Sequence, residues 1–190
     1  GPNGDEVSTT NNYADATLQV VGTFTPDFTG GLSNVITYKS LTLSSFFNFV
    51  KGVQVWTYSD LLIDSDGAYD DENQRVLVDG ESRWQNPGDI ATHPKAVFGG
   101  NKNSNQVSSR YLQDGSYIRL RNVRLSYKLP AGLLSRVKIA NASLFVSGDN
   151  LLTFTPYNGR DPQASLSNSG GRVGEYPISK KVLFGINIEL

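Results

Sequence analysis

The sequence predicts an all-β protein of antiparallel strands, forming part of a transmembrane β-barrel with long loops at one end. Three observations carry this. Apolar and polar residues alternate in runs such as LTLSSFFNFV and KKVLFGINIEL. Tyr, Phe, Val, Thr, Ser and Asn dominate those runs, while Gly, Pro, Asn and Asp collect between them. The connections alternate between short and long: 39–40, then 52–116, then 130–141, then 157–178. In an up-and-down sheet, alternate connections lie at the same end. One end then carries tight turns and the other large loops, as in outer-membrane barrels with short periplasmic turns and long extracellular loops.

Residues 1–16 are polar, rich in Gly, Asn and Thr, and read as loop. TPDFTGG (25–31) reads as a turn into a first strand, LSNVITYK. Leu32, Asn34, Ile36 and Tyr38 share one face of that strand, and Ser33, Val35 and Thr37 the other. The link Lys39-Ser40 leads to LTLSSFFNFVKG, with Leu41, Leu43, Ser45, Phe47 and Phe49 on one face, which completes a hairpin. Residues 52–116 are mostly polar, and a connection of that length belongs in a compact protein only if it is functional.

YIRLRNVRLSYKLP is the third strand, and its phase slips. Ile118 and Leu120 fall on one side, and Val123, Leu125, Tyr127 and Leu129 on the other. Either a bulge near Asn122 or a strand leaving the membrane-facing zone accounts for this. Arg119 and Arg121 share a face with Tyr117, and the unslipped register points them outward. A lipid-facing Arg at mid-depth costs about 2–4 kcal/mol. The expectation is therefore that this half of the strand rises above the hydrocarbon, with its arginines near lipopolysaccharide phosphates or the loops. An inward turn at a bulge is the alternative.

Pro130 ends the strand, and AGLLSRVKIAN is a compact connection with a helical turn. ASLFVSGDNLLTFTPY is a further strand, interrupted at Gly148-Asp149-Asn150. NGRDPQASLSNSGGRVGEYP is the second long loop. KKVLFGINIEL closes the series, with Val182, Phe184, Ile186, Ile188 and Leu190 expected to face lipid. Tyr38, Phe46, Phe47, Phe49, Trp56, Tyr58, Tyr127, Phe154, Tyr157 and Tyr176 gather near strand ends, where membrane barrels carry aromatic girdles.

Composition excludes several classes. With 190 residues, one domain or part of one is expected. A net charge of −1 argues against a nucleic-acid partner. The absence of cysteine removes disulfides, thiolate metal sites and thiol catalysis together. No apolar run is long enough for a transmembrane helix, which says nothing against a barrel. Residues 1–15 hold no signal-peptide core, and the chain opens GPNGDE rather than Met, which reads as a boundary or a processing product.

DSDGAYDDEN (64–73) is the one oxygen-rich stretch, making Asp64, Asp66 and Asp70 weak Ca²⁺ candidates. Its spacing fails the EF-hand pattern, and a solvated acidic loop is the plainer reading. RWQNPGD sets Arg83 and Trp84 beside a turn, a pairing suited to stacking on a sugar ring, a peptide or a lid protein, or to anchoring its own loop. Arg110, Tyr111, and the Arg160 and Asp161 of GRDP complete the candidate substrate or lid contacts; GRDP reads equally as a turn. His93 stands alone of its kind, and no G-x-S-x-G elbow exists, so no catalytic residue is assigned and no enzyme is expected.

TPDFTGGLSNVITYKSLTLSSFFNF, RWQNPGDIATHPK, SRYLQDGSYIRLRNVRLSYKLP, LFVSGDNLLTFTPYNGRDPQ and GEYPISKKVLFGINIEL, in this order, resemble the C-terminal part of SusC/RagA-type TonB-linked outer-membrane transporters. The resemblance runs from about Thr23 to Leu190. It implies the final five or so strands of a 22-stranded barrel whose plug domain and remaining strands are absent from this chain. It also implies import of oligosaccharides or peptides, energy from TonB through the plug, and a SusD-like lipoprotein lid on the extracellular loops. No cofactor is implied. Leu190 stands where many outer-membrane proteins carry an aromatic.

Physics adds a partner. Five strands cannot close, since about eight make the smallest filled barrel. Unpaired backbone groups in lipid cost several kcal/mol each. The remaining, N-terminal strands are therefore expected on another chain, with the break in an extracellular loop near residues 1–16. The competing reading is a soluble extracellular β-sandwich that binds carbohydrate or acts as an adhesin. A sandwich buries the apolar side of its strands against a second sheet, whereas a barrel leaves that side to lipid.

Overall fold

The alternating runs pair into one antiparallel sheet. The computed structural model describes residues 13–163 and 176–189. In chain order the elements are β1 (Phe28–Tyr38), β2 (Leu41–Lys51), β3 (Gln54–Trp56), α1 (Tyr58–Ile63), β4 (Leu112–Asp114), β5 (Tyr117–Lys128), α2 (Ala131–Leu134), β6 (Asn141–Phe154) and β7 (Lys181–Glu189). The large sheet has the order β1-β2-β5-β6-β7, and β3 pairs with β4 in a small second sheet. Leu190, residues 1–12 and most of the expected loop 157–178 lie outside the described residues.

Register makes the two faces unlike. Ile36, Leu43, Leu125, Val146 and Phe184 stand opposite one another across all five strands. The neighbouring row on the other face reads Thr37, Thr42, Ser126, Phe145 and Gly185. The apolar face is uncovered: Phe184 is 81% exposed, Leu32 61% and Ile36 57%. Among the described residues, the five strands contribute only Tyr117 and Ala142 to the buried apolar core. The small sheet has three residues per strand, and among the described residues no second layer of the kind a sandwich needs covers this face.

The phase slip of β5 is a bulge. Phe46 pairs with Asn122 and Phe47 with Leu120, which leaves Arg121 as an extra residue. On β6, Asn150 and Leu151 sit between the partners of Asn122 and Leu120, and Asn150 adopts φ +54°, a left-handed conformation that Asn tolerates. Gly148-Asp149-Asn150 is thus a bulge within one continuous strand, not an interruption. The extra residue returns Ile118 and Leu120 to the face of Val123, Leu125 and Tyr127. Arg119 lands on the opposite face, 2% exposed. The outward orientation expected of Arg119 is therefore overturned, because the bulge turns it to the polar face.

The turn expected at Thr29-Gly30-Gly31 is also strand. A Cβ on Gly30 would run into the Phe49 ring, and one on Gly31 into the Phe46 ring. These glycines serve to make room for aromatic rings rather than to reverse the chain. The reversal between β1 and β2 falls on Lys39, at φ +53°.

Two compact units divide the chain. The described part of one is the sheet unit of 23–55, 113–163 and 176–189; that of the other is a loop unit of 13–22 and 56–112. The loop unit is an ordered structure of its own, with Leu61 and Tyr111 buried.

Candidate functional site

The loop unit is organised around buried carboxylates. Asp64 ends α1, and its amide donates to the carbonyl of Asp60 at 2.8 Å. The chain then reverses through Asp66 and Gly67 at φ +55° and +86°. That reversal places Asp66 at 0% exposure, and a buried carboxylate requires partners. Arg83 Nη1 donates to Asp66 Oδ1 at 2.7 Å. Arg110 donates to both oxygens, and Ser104 Oγ donates to Oδ2 at 2.8 Å. Burial alone would raise the Asp66 pKa, but the hydrogen bonds from Arg110, Ser104 and Arg83 outweigh it and hold the carboxyl below its usual value.

Asp64 extends the network. Its Oδ2 lies 3.0 Å from His93 Nε2 and 3.2 Å from Arg110 Nη2, and its Oδ1 lies 3.4 Å from Arg83 Nη2. Arg75 bridges Asp64 and Glu81, at 3.7 and 3.2 Å. His93 Nδ1 sits 2.8 Å from Thr92 Oγ1. The Thr92 hydroxyl donates to the Ser82 carbonyl at 3.0 Å, and Arg75 Nη2 lies 3.0 Å from His93 Nε2. Arg75, Arg83 and Arg110 balance Asp64, Asp66 and Glu81, and the network closes on itself.

Tyr111 packs against this network. It is 1% exposed and its hydroxyl donates to the Asp64 carbonyl at 3.4 Å. The Arg110 guanidinium lies 5.3 Å from its ring centre, and Trp56 meets it edge-on at 6.3 Å. Burial pushes the phenol up to about 12.

The sheet unit holds a second buried pair. Arg119 Nη2 donates to Asp161 Oδ1 at 2.6 Å. The same Arg119 donates to Gln163 Oε1 at 3.2 Å, and its guanidinium sits 5.4 Å from the Tyr117 ring centre.

Four of the residues singled out in the sequence, Asp64, Asp66, Arg83 and Arg110, meet in one cluster. Its chemistry is mutual neutralisation. The guanidinia that were expected to offer contacts are turned onto the segment's own carboxylates, and Tyr111 is covered. Asp70 is exposed and apart from the cluster, and among the described residues no group of three or more His, Cys, Asp or Glu is arranged to hold a metal ion. Trp84 is half-buried and Arg160 exposed, while Asp161 is buried against Arg119. Val182, Phe184, Ile186 and Ile188 are exposed on the apolar face. Arg75 and His93 carried no sequence signal for the cluster, since only the fold brings them to Asp64. The Arg119–Asp161 pair spans 42 positions, and no spacing rule reports such a contact.

No family model matches the chain. It is 31% identical over 183 residues, 92% of its length, to TonB-dependent receptor P3 of Formosa agariphila. It is 29% identical over 179 residues, 90% of its length, to TonB-dependent receptor P39 of the same organism. The chain spans 17% of the length of each. Among solved structures, it is similar to the RagAB peptide importer in its open-open state, with a TM-score of 0.82 and 26% identity over 98% of this chain and 20% of that one. The closed-closed state of that importer gives a TM-score of 0.80 over 99% of this chain and 20% of that one. The sheet with its loop unit thus corresponds to one part of a TonB-dependent receptor. Within that class, the chain is a SusC/RagA-like segment.

Proposed function

We propose that the five strands belong to the wall of an outer-membrane barrel, in the C-terminal part of a 22-stranded TonB-dependent importer of oligosaccharides or peptides. The observation that carries this reading is the apolar row Ile36–Leu43–Leu125–Val146–Phe184, continuous across the sheet and uncovered. In water that face would cost roughly 1.5–3 kcal/mol for each large side chain left exposed. In lipid it costs nothing.

The aromatic residues support the same medium. Tyr38 and Tyr127 stand at the turn end of the apolar face, on either side of Leu41. Phe49 and Phe154 stand at the loop end, on either side of Ile118, with Phe28 packed edge-on against Phe49. At ~3.3 Å per residue the ten steps from Phe28 to Tyr38 span about 33 Å, or about 25 Å at a ~40° tilt, the height of a barrel's apolar band. Phe46, by contrast, lies on the polar face, and Trp56 and Tyr58 pack in the loop unit rather than in a girdle.

On this reading, further strands of the barrel pair with the open edges of β1 and β7, and the polar face lines the lumen. A SusD-like lipoprotein covers the loops, and TonB supplies energy through the plug. Similarity to a peptide importer favours a peptide cargo.

The test uses the full-length protein in lipid, with single cysteines at Phe184 and at Leu183 carrying nitroxides. This stretch has no cysteine of its own. The label at 184 is expected to meet oxygen dissolved in lipid, and the label at 183 a water-soluble nickel chelate. Equal access of the chelate to both positions would sink the proposal.

A further inference from the structure

Two arginines on the polar face of the sheet unit are held by neutral groups and have no counter-charge among the described residues. Arg124 lies over Phe145, its guanidinium carbon 3.7 Å from the ring centre. Its Nε donates to Ser126 Oγ at 3.2 Å. Phe145 in turn lies over Gly185, where any Cβ would collide with the ring. Three strands thus cooperate to fix one guanidinium: β7 supplies the space, β6 the ring and β5 the charge. Arg121, the bulged residue, is tethered by Nη1 to Asn150 Oδ1 at 3.1 Å and Gln163 Oε1 at 3.4 Å.

The other buried or half-buried arginines of the described chain are spent differently. Arg75, Arg83, Arg110 and Arg119 all pair with carboxylates. Arg121 and Arg124 pair with none among the described residues, although both are half-buried. Asp149, on the same face, accepts a hydrogen bond from Asn122 at 2.7 Å and has Lys181 opposite it in register, while Asp161 is taken by Arg119. Among the described residues the strip is therefore net cationic. A guanidinium already oriented by its neighbours, with no carboxylate partner among the described residues, loses little freedom when it receives one.

We infer that Arg121 and Arg124 form a contact site for carboxylate groups of the transported solute, and that the cargo is acidic. This rests on the reading that the polar face lines the lumen. A carboxylate can come from an aspartate- or glutamate-bearing peptide or from a uronic-acid oligosaccharide, and the two are separated by the choice of probe.

The experiment takes the full-length protein in lipid nanodiscs and measures fluorescence anisotropy with three labelled probes: hexa-aspartate, tri-galacturonate and hexa-serine. At least one acidic probe is expected to bind more tightly than hexa-serine. In R121Q/R124Q its affinity is expected to fall by about tenfold or more, as loss of charge-assisted contacts demands. R124K is expected to fall between the two, since lysine keeps the charge but not the planar fork. If neither acidic probe binds, or if R121Q/R124Q binds them as the parent protein does, the inference is overturned. A nitroxide at position 184 of the same preparations separates the two levels. Lipid contact there with unchanged probe binding removes this inference alone, and water contact there removes the barrel reading beneath it.

Discussion

Arg119 Nη2 lies 2.6 Å from Asp161 Oδ1, with the two side chains 2% and 6% exposed. The same aspartate accepts from the amide of Gln163 at 2.9 Å and from the amide of Ile178 at 3.1 Å. One carboxylate therefore ties both ends of the last long loop to β5. Removing one partner of a buried pair leaves an uncompensated charge and costs roughly 3–5 kcal/mol. Asp161→Asn is expected to destabilise the loop base by this order. Hydrogen exchange should report it as faster exchange at the Gln163 and Ile178 amides, with the β6–β7 ladder unchanged.

Acid should act through Asp66. Its folded-state pKa is depressed below the ordinary 3.8: burial opposes this, but the bonds from Arg110, Ser104 and Arg83 prevail. A depressed carboxylate stabilises the fold at pH values above the unfolded pKa. That contribution is lost as pH falls through the folded value. The loop unit is thus expected to keep its structure down to about pH 4 and to loosen below it. Tryptophan fluorescence would follow this, because Trp56 packs on Tyr111 in that unit. Asp66→Asn should weaken the unit at neutral pH and flatten its acid transition.

Alkali should act through Tyr111. Burial raises its phenol from 10.0 to about 12, so the neutral ring's full contribution is present below pH 10 and is lost as pH rises through about 12. Absorbance at the phenolate band is expected to show a late-titrating component that Tyr111→Phe removes. The same substitution deletes one long hydrogen bond and should cost no more than about 1 kcal/mol.

The bulge at Arg121 keeps Ile118 and Leu120 on the face of Val123, Leu125 and Tyr127 despite the slip in sequence phase. Deleting Arg121 would leave Asn122 and Leu120 as consecutive partners of Phe46 and Phe47, a regular ladder on β2. Ile118 and Leu120 would stay on the apolar face and Arg119 on the polar one, and only the Arg121 tether to Asn150 and Gln163 is lost. The deletion is therefore expected to leave outer-membrane assembly of the full-length protein intact, seen as a retained heat-modifiable band on cold gel electrophoresis; loss of that band would show that the bulge itself is required.

The sequence by itself determined the strands, the short and long connections, and the apolar stripe through Val182, Phe184, Ile186 and Ile188, because a period of two in hydrophobicity is local and survives without any partner. It also exposed the slip near Asn122, but not its cause. Only the tertiary structure decided that Arg121 is an extra residue, since a bulge is defined by what lies opposite, on β2 and β6. It likewise decided that Asp66 meets Arg83 and Arg110, and that Arg119 meets Asp161. Ion pairs between loops depend on where the backbone brings distant positions, and the charges alone fit several partners equally well. Gly185 carries the same lesson: its single hydrogen side chain reads as a weak strand residue until the Phe145 ring and the Arg124 guanidinium are stacked above it.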